Sequence, residues 1–165
     1  MKADTKKLVL TAMFASLCCV ATMMIKIPSP LKGYINLGDC VVLLAGWLLP
    51  SAYGCMAAGI GSAMADIFSG YVMYAPATFV IKALMAYVAY TCFNKVNRNG
   101  KDVGARVISA TLAEIVMVLG YLAFESCLYG FVPSLVNVVP NMVQGVAGIL
   151  ISIQLIRMFK NTNIF

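Results

Sequence analysis

The sequence has no histidine, a single tryptophan and few charges: Asp, Glu, Lys and Arg together make up 11% of its 165 residues. Without histidine it lacks the commonest general base near neutral pH and the commonest nitrogen ligand for a metal. The six cysteines, Cys18, Cys19, Cys40, Cys55, Cys92 and Cys127, lie in or beside apolar runs and form no C-x-x-C pair. They read as small buried hydrophobes. There is no phosphate-binding loop, no cluster of metal-ligand residues, no long internal repeat and no low-complexity run. Gly59-Ile60-Gly61-Ser62 is not a nucleophile elbow, because it departs from G-x-S-x-G and no histidine exists to activate a serine. Asp102-Val103-Gly104-Ala105-Arg106 carries part of an alcohol-phosphatidyltransferase signature without its further aspartates. An enzyme, a metalloprotein and a cofactor carrier all lack their chemistry here.

What the chain has in abundance is apolar surface. Hydrophobic residues are 62% of it, against about 45–50% in an ordinary soluble domain. A soluble globule so composed could not cover itself with polar groups, so the expected solvent is the bilayer, where a spanning helix needs roughly 20 apolar residues. One integral membrane domain, residues 1–165, is expected. The run Leu8–Ile25 follows basic Lys2, Lys6 and Lys7 as a signal peptide would. With several apolar spans after it and no clear small-residue cleavage site, it reads as a retained first span. Further spans are predicted at Leu37–Leu49, Ser51–Phe68, Ala75–Phe93, Ala105–Tyr129 and Leu135–Phe159, with a polar stretch at Asn94–Gly104 and a turn at Gly130–Ser134. Leu37–Phe68 as one helix would reach roughly 48 Å across a core of about 30 Å, and Pro50 would break it; a hairpin is predicted instead. The basic residues then agree. Lys2, Lys6 and Lys7, then Lys95, Arg98, Lys101 and Arg106, then Arg157 and Lys160 fall on one side only if there are six spans. The prediction is an all-α six-helix bundle with both termini cytoplasmic. The net charge of +6 reflects topology, and nucleic acid is a poor partner for basic residues scattered over three short segments.

Ionisable groups at membrane depth are costly and face a cavity or a partner. Asp39, Asp66, Lys82 and Glu125 all fall in the outer half of this topology, and Glu114 near the middle or inner half. They line an outward pocket, or Asp39 caps a helix, Asp66 pairs with Lys82 and Glu125 is interfacial. Asn137, Asn141 and Gln144, spaced i, i+4, i+7, share one helical face. They either glue helices together or read a ligand. Tyr34, Tyr71, Tyr74, Tyr121, Phe124, Tyr129 and Phe131 gather on the same side, as an interfacial belt or as a stacking surface for a planar ligand. Small residues recur at four-residue spacing: Ala12 and Ser16, Ala15 and Cys19 in the first span, and Gly54, Ala58 and Ser62 in the third. Such faces let helices approach closely, within the chain or against another subunit.

Three runs in order carry a resemblance: Gly33-Tyr34-Ile35-Asn36-Leu37-Gly38-Asp39; Gly59-Ile60-Gly61-Ser62-Ala63-Met64-Ala65-Asp66; and Tyr74-Ala75-Pro76-Ala77-Thr78 with Lys82. With Pro140-Asn141-Met142-Val143-Gln144-Gly145 and Gly148, the chain resembles the substrate-binding S components of energy-coupling factor (ECF) vitamin transporters, most narrowly the riboflavin-transporter type. The resemblance implies a subunit that captures a water-soluble vitamin or precursor near its outer face, with a membrane T subunit and two cytoplasmic ATPases as partners and no cofactor of its own. It implies that the first helix meets the T subunit through an A-x-x-x-A face, which maps onto Ala12 and Ser16, serine replacing the second alanine. Residue chemistry and resemblance together nominate Asn36, Asp39, Asp66, Tyr74, Lys82, Glu125, Asn137, Asn141 and Gln144 for the substrate. Riboflavin, pyridoxine-type and pyrimidine-type ligands all suit them. The rival is a self-sufficient secondary transporter or exporter acting as a homo-oligomer. Such carriers usually show inverted repeats and broken midplane helices, and neither is visible. A bacterial plasma membrane is the expected location.

Overall fold

The computed structural model describes residues 2–29, 33–97 and 102–161. Residues 30–32 between the first two predicted spans, Arg98 and Lys101 of the polar stretch, and the side chains of Lys2 and Lys160 lie outside the described residues. The chain is overwhelmingly helical: α1 (Lys2–Met24), α2 (Gly38–Leu48), α3 (Ser51–Phe68), α4 (Ala75–Val96), α5 (Asp102–Tyr129), the single turn α6 (Phe131–Ser134) and α7 (Val138–Asn161). A 3₁₀ turn, Leu135–Asn137, joins α6 to α7. Four stretches among the described residues are long and apolar enough to cross a membrane: Asp4–Met24, Ala75–Val96, Asp102–Tyr129 and Phe131–Met158.

The break between α2 and α3 follows from Pro50. Leu49, just before it, is extended (φ −103°, ψ 152°), the conformation a proline ring imposes on its predecessor. Pro50 then leads into α3 without a backbone N–H to leave unsatisfied. At the other end of α3 the chain turns through Gly70 (φ 82°), a left-handed conformation that favours glycine. α4 starts with a proline in its first turn.

Several predicted boundaries move. The polar stretch Asn94–Gly104 is shorter than expected, because α4 runs on to Val96 and α5 already starts at Asp102. Arg106, counted with the basic residues around that stretch, is buried. Its guanidinium pairs with Asp102 at 2.9 Å and lies 4.3 Å from the Phe93 ring centre and 5.0 Å from that of Trp47. Its flat, weakly hydrated head tolerates this better than a lysine would. The predicted turn Gly130–Ser134 is helical from Phe131, with Gly130 (φ 90°) supplying the kink. The fold is also not purely α: β1 (Ile27–Pro28) pairs antiparallel with β2 (Tyr34–Ile35), Ile27 facing Ile35 and Pro28 facing Tyr34.

α2 is the axis of the bundle. It packs against α1, α3, α4 and α7, and Gly38 through Trp47 are all buried. Around it lie Ile81, Met85, Ala86, Ala89 and Phe93 of α4 and Ala105, Ala110, Ala113 and Met117 of α5. Small residues set the spacing. A β-carbon on Gly46 would come within 2.8 Å of the Ala86 carbonyl oxygen, and one on Gly61 within 2.3 Å of that of Ala15. These contacts, α2 on α4 and α3 on α1, depend on the backbones nearly touching.

Candidate functional site

At the end of the bundle where α3 finishes and α4 begins, the β1–β2 hairpin closes over a cleft of about 440 Å³ including its mouth. Its lining comes from four places in the fold: Ser29, Gly33, Tyr34 and Asn36 of the hairpin segment; Asp66, Tyr71, Tyr74 and Thr78 around the α3–α4 turn; Tyr121 and Glu125 of α5; and Asn137, Asn141 and Gln144 on the way into and along α7. Tyr121 and Glu125 stand one helical turn apart and so face the same way.

The hairpin is pinned by side chains from three directions. The Tyr34 hydroxyl donates to Asp66 Oδ1 at 2.7 Å. Burial and then the neighbouring Asp66 carboxylate hold the Tyr34 phenol above its ordinary pKa, so it remains a donor. Ser29 donates to Asn137 Oδ1. The Asn36 N–H donates to Gln144 Oε1 at 2.8 Å, while Asn36 Oδ1 accepts from the Gly38 N–H and so starts α2. Asp66 takes a second hydrogen bond from Thr78 Oγ1, whose hydroxyl also lies 3.1 Å from that of Tyr121. Asn137 Nδ2 donates to Glu125 Oε1 at 2.8 Å. Tyrosine rings form one wall: Tyr34 and Tyr71 are 5.0 Å apart between ring centres, Tyr71 and Tyr74 6.2 Å, and Tyr74 meets Phe124 at 5.3 Å.

Beneath this lining lies a second polar layer. Lys82 of α4 forms an ion pair with Asp39 Oδ1, and Gln144 Nε2 donates to Asp39 Oδ2 at 2.6 Å. Asp39 is 0% exposed and Lys82 2%. Neither belongs to the cavity lining; Gln144, which does, connects them to it. Two expectations are corrected here. Asp39 does not cap α2: Leu37 holds the cap position, and Asp39, one residue into the helix, is turned inward. Asp66 does not take Lys82 as its partner, because Asp39 has it and two hydroxyls satisfy Asp66. Glu114 also approaches this layer. Its carboxylate lies against Gly145 and Gly148 of α7, where an added β-carbon would come within 3.1 Å of its oxygens. Neither of those oxygens has a hydrogen-bond partner among the described residues.

The structure therefore brings Asn36, Asp66, Tyr74, Glu125, Asn137, Asn141 and Gln144 to one cleft, with Asp39 and Lys82 behind it. Ser29 joins them without a sign in the sequence, and so do Gly33 and Thr78, which stood only within the runs that carry the resemblance. Tyr71 and Tyr121 were visible only as aromatics on the same side, and Tyr34 also as part of a run that carries the resemblance. Ala12 and Ser16 are distant from the cleft and exposed on α1. Ser16 borders an apolar groove between α1 and α3, with Ala15, Cys19, Val20, Ile60, Gly61, Met64 and Phe68. Among the described residues no group of His, Cys, Asp and Glu is arranged to hold a metal ion.

Residues 2–161 match the family profile described as the S component of ECF-type riboflavin transporters. A Pyrococcus woesei protein, described as an uncharacterised protein in the gap 3′ region, is 37% identical over 133 residues, which are 80% of this chain and 86% of that protein. A solved structure described as the S component of a bacterial ECF transporter superposes with a TM-score of 0.76 at 22% identity. It covers 98% of this chain and 99% of its own, and at that identity the likeness speaks for the fold.

Proposed function

The chain belongs to the family of ECF-type riboflavin transporter S components, and from that premise we propose that it is the substrate-capture subunit of an ATP-driven importer in the bacterial plasma membrane. All six main helices cross the bilayer, α2 and α3 as a tight pair, and both termini are cytoplasmic. The cleft then opens to the extracellular side. There it takes a water-soluble vitamin or vitamin precursor of the riboflavin, pyridoxine or pyrimidine type, with the β1–β2 hairpin as its cap.

The observation that carries this reading is the convergence of separated chain segments on a polar, tyrosine-walled cleft inside an otherwise apolar bundle. Polar groups at that depth are expensive unless they meet one another or a ligand. Tyrosines and amides together suit a flat ring bearing several donors and acceptors. Asn36, Asp66, Tyr74, Glu125, Asn137, Asn141 and Gln144 contact the substrate in this scheme. Asp39 and Lys82 hold Gln144 in position. A T subunit docks on the exposed α1 face around Ala12 and Ser16, and two cytoplasmic ATPases hydrolyse the ATP.

The test is to purify the chain, identify any small molecule that accompanies it, and measure uptake of that molecule with and without the T and ATPase subunits. Uptake that needs ATP and all subunits is expected; full uptake by this chain alone would overturn the reading in favour of a secondary transporter. Asn141→Leu is expected to weaken binding at least tenfold, about 1.4 kcal/mol, with the helical circular dichroism unchanged. Unchanged affinity would remove Asn141 from the site.

A further inference from the structure

We infer that the cleft is built for an organic cation: a ring compound bearing a protonated side-chain amine, held by Glu125 against the tyrosine wall. The inference rests on the capture reading above and narrows its substrate class.

Glu125 is 3% exposed and lines the cleft. Its Oε1 accepts from Asn137, but its Oε2 has no hydrogen-bond partner among the described residues. The Tyr74 hydroxyl also acts on this carboxylate, but it is a neutral group and leaves the charge unbalanced. Nearly all buried polar atoms in folded proteins have a partner, and an ionised carboxylate withdrawn from water is costly when left half satisfied. A positively charged donor in the cleft would complete it. The surroundings favour the same charge. Tyr34, Tyr71, Tyr74 and Tyr121 border the cleft, and the negative faces of such rings attract ammonium and pyridinium groups. Asp66 adds a second carboxylate to the lining.

The lysines nearest the cleft among the described residues already have partners. Among the described residues no Lys or Arg lines the cleft. Lys82 is paired with Asp39 below it, and Lys26 donates to Ser69. Among the described residues of the lining, a phosphate or carboxylate would meet Glu125 and Asp66 and no charge-assisted donor.

The purified full chain in detergent is titrated at pH 7 with three probes that share one ring: pyridoxamine, whose aminomethyl group is protonated, pyridoxine, with a neutral hydroxymethyl in its place, and pyridoxamine 5′-phosphate. Pyridoxamine is expected to bind about tenfold or more tighter than pyridoxine, and the phosphate ester weakest. Glu125→Gln keeps an acceptor for Asn137 and removes the charge. It is expected to weaken pyridoxamine at least tenfold and pyridoxine by a smaller factor, so that the preference is lost. Tyr71→Leu, at a half-buried turn position, is a second route that leaves the helices alone; it is expected to weaken pyridoxamine more than pyridoxine. Pyridoxine binding as tightly as pyridoxamine would overturn the inference. So would a tightest-bound phosphate ester, a preference that survives both substitutions, or no binding of any probe up to about millimolar concentration. The capture reading fails separately, through a chain that does not assemble with T and ATPase subunits. An assembled complex that imports pyridoxine in preference to pyridoxamine would break the cation inference alone.

Discussion

α1 and α2 are neighbours in the chain, both apolar and joined by one hairpin, yet they occupy opposite environments. In α2, Gly38 through Trp47 are buried without interruption. In α1 only Cys18 and Thr22 are buried among the described side chains, while Leu8, Val9, Met13, Leu17 and Val20 are exposed. In water such an exposed row would mark an interface or an aggregation hazard. Beside lipid tails, which are as apolar as leucine, it costs nothing. Hydrophobicity therefore does not report burial in this protein. Small and polar residues do. The points where α1 touches the bundle include Cys18, whose Sγ lies 3.2 Å from Ser62 Oγ, and Ala15, whose carbonyl oxygen meets Gly61.

The largest test of this contrast is the buried charge that α2 carries and α1, among its described side chains, does not. Asp39→Ala strands Lys82 in the interior and is expected to cost about 3–5 kcal/mol, read as a fall in thermal unfolding temperature in detergent. Asp39→Asn with Lys82→Met removes both charges and is expected to restore most of the loss. A single variant as stable as the parent would mean that α2 is wetter than its burial indicates. Next in size is Gly46→Ala, which pushes a methyl group into the backbone of α4 and is expected to cost about 1–3 kcal/mol; the same measurement on Leu17→Ala in α1 should show under about 0.5 kcal/mol. Similar losses at both positions would erase the distinction. The smallest expected effect on stability is at Ser16. Ser16→Trp should change it by less than about 0.5 kcal/mol and leave substrate binding alone, yet block copurification with the T subunit. A full complex assembled by that variant would move the docking surface off this face of α1.

Much of the cleft was legible because its residues stand out against their surroundings. Asp66, Glu125, Asn137, Asn141 and Gln144 are charged or amide groups in apolar runs, and the bilayer makes each of them conspicuous. Ser29 and Thr78 were not conspicuous. A hydroxyl in a helix or turn is readily satisfied by its own backbone, as Thr11, Thr91 and Thr111 are here, so a serine or threonine in the sequence does not announce a distant partner. The partner of Lys82 was also illegible. Asp66 is 16 residues from it and Asp39 43 residues from it, and chain distance alone favoured the wrong one. The short β1–β2 ladder left no trace in the sequence either, since two-residue strands have no periodicity to read.

The sequence determined on its own that lipid is the main solvent, that Pro50 separates two helices, and that the polar side chains within the apolar runs are the ones to question. These follow from transfer free energies and backbone restrictions, which act residue by residue. Tertiary structure decided which helix lies at the centre, which carboxylate holds Lys82, and which oxygen of Glu125 has no hydrogen-bond partner among the described residues. Those outcomes depend on how closely several helices approach at once, through glycines and alanines far apart in the chain, and no single stretch of sequence contains that distance.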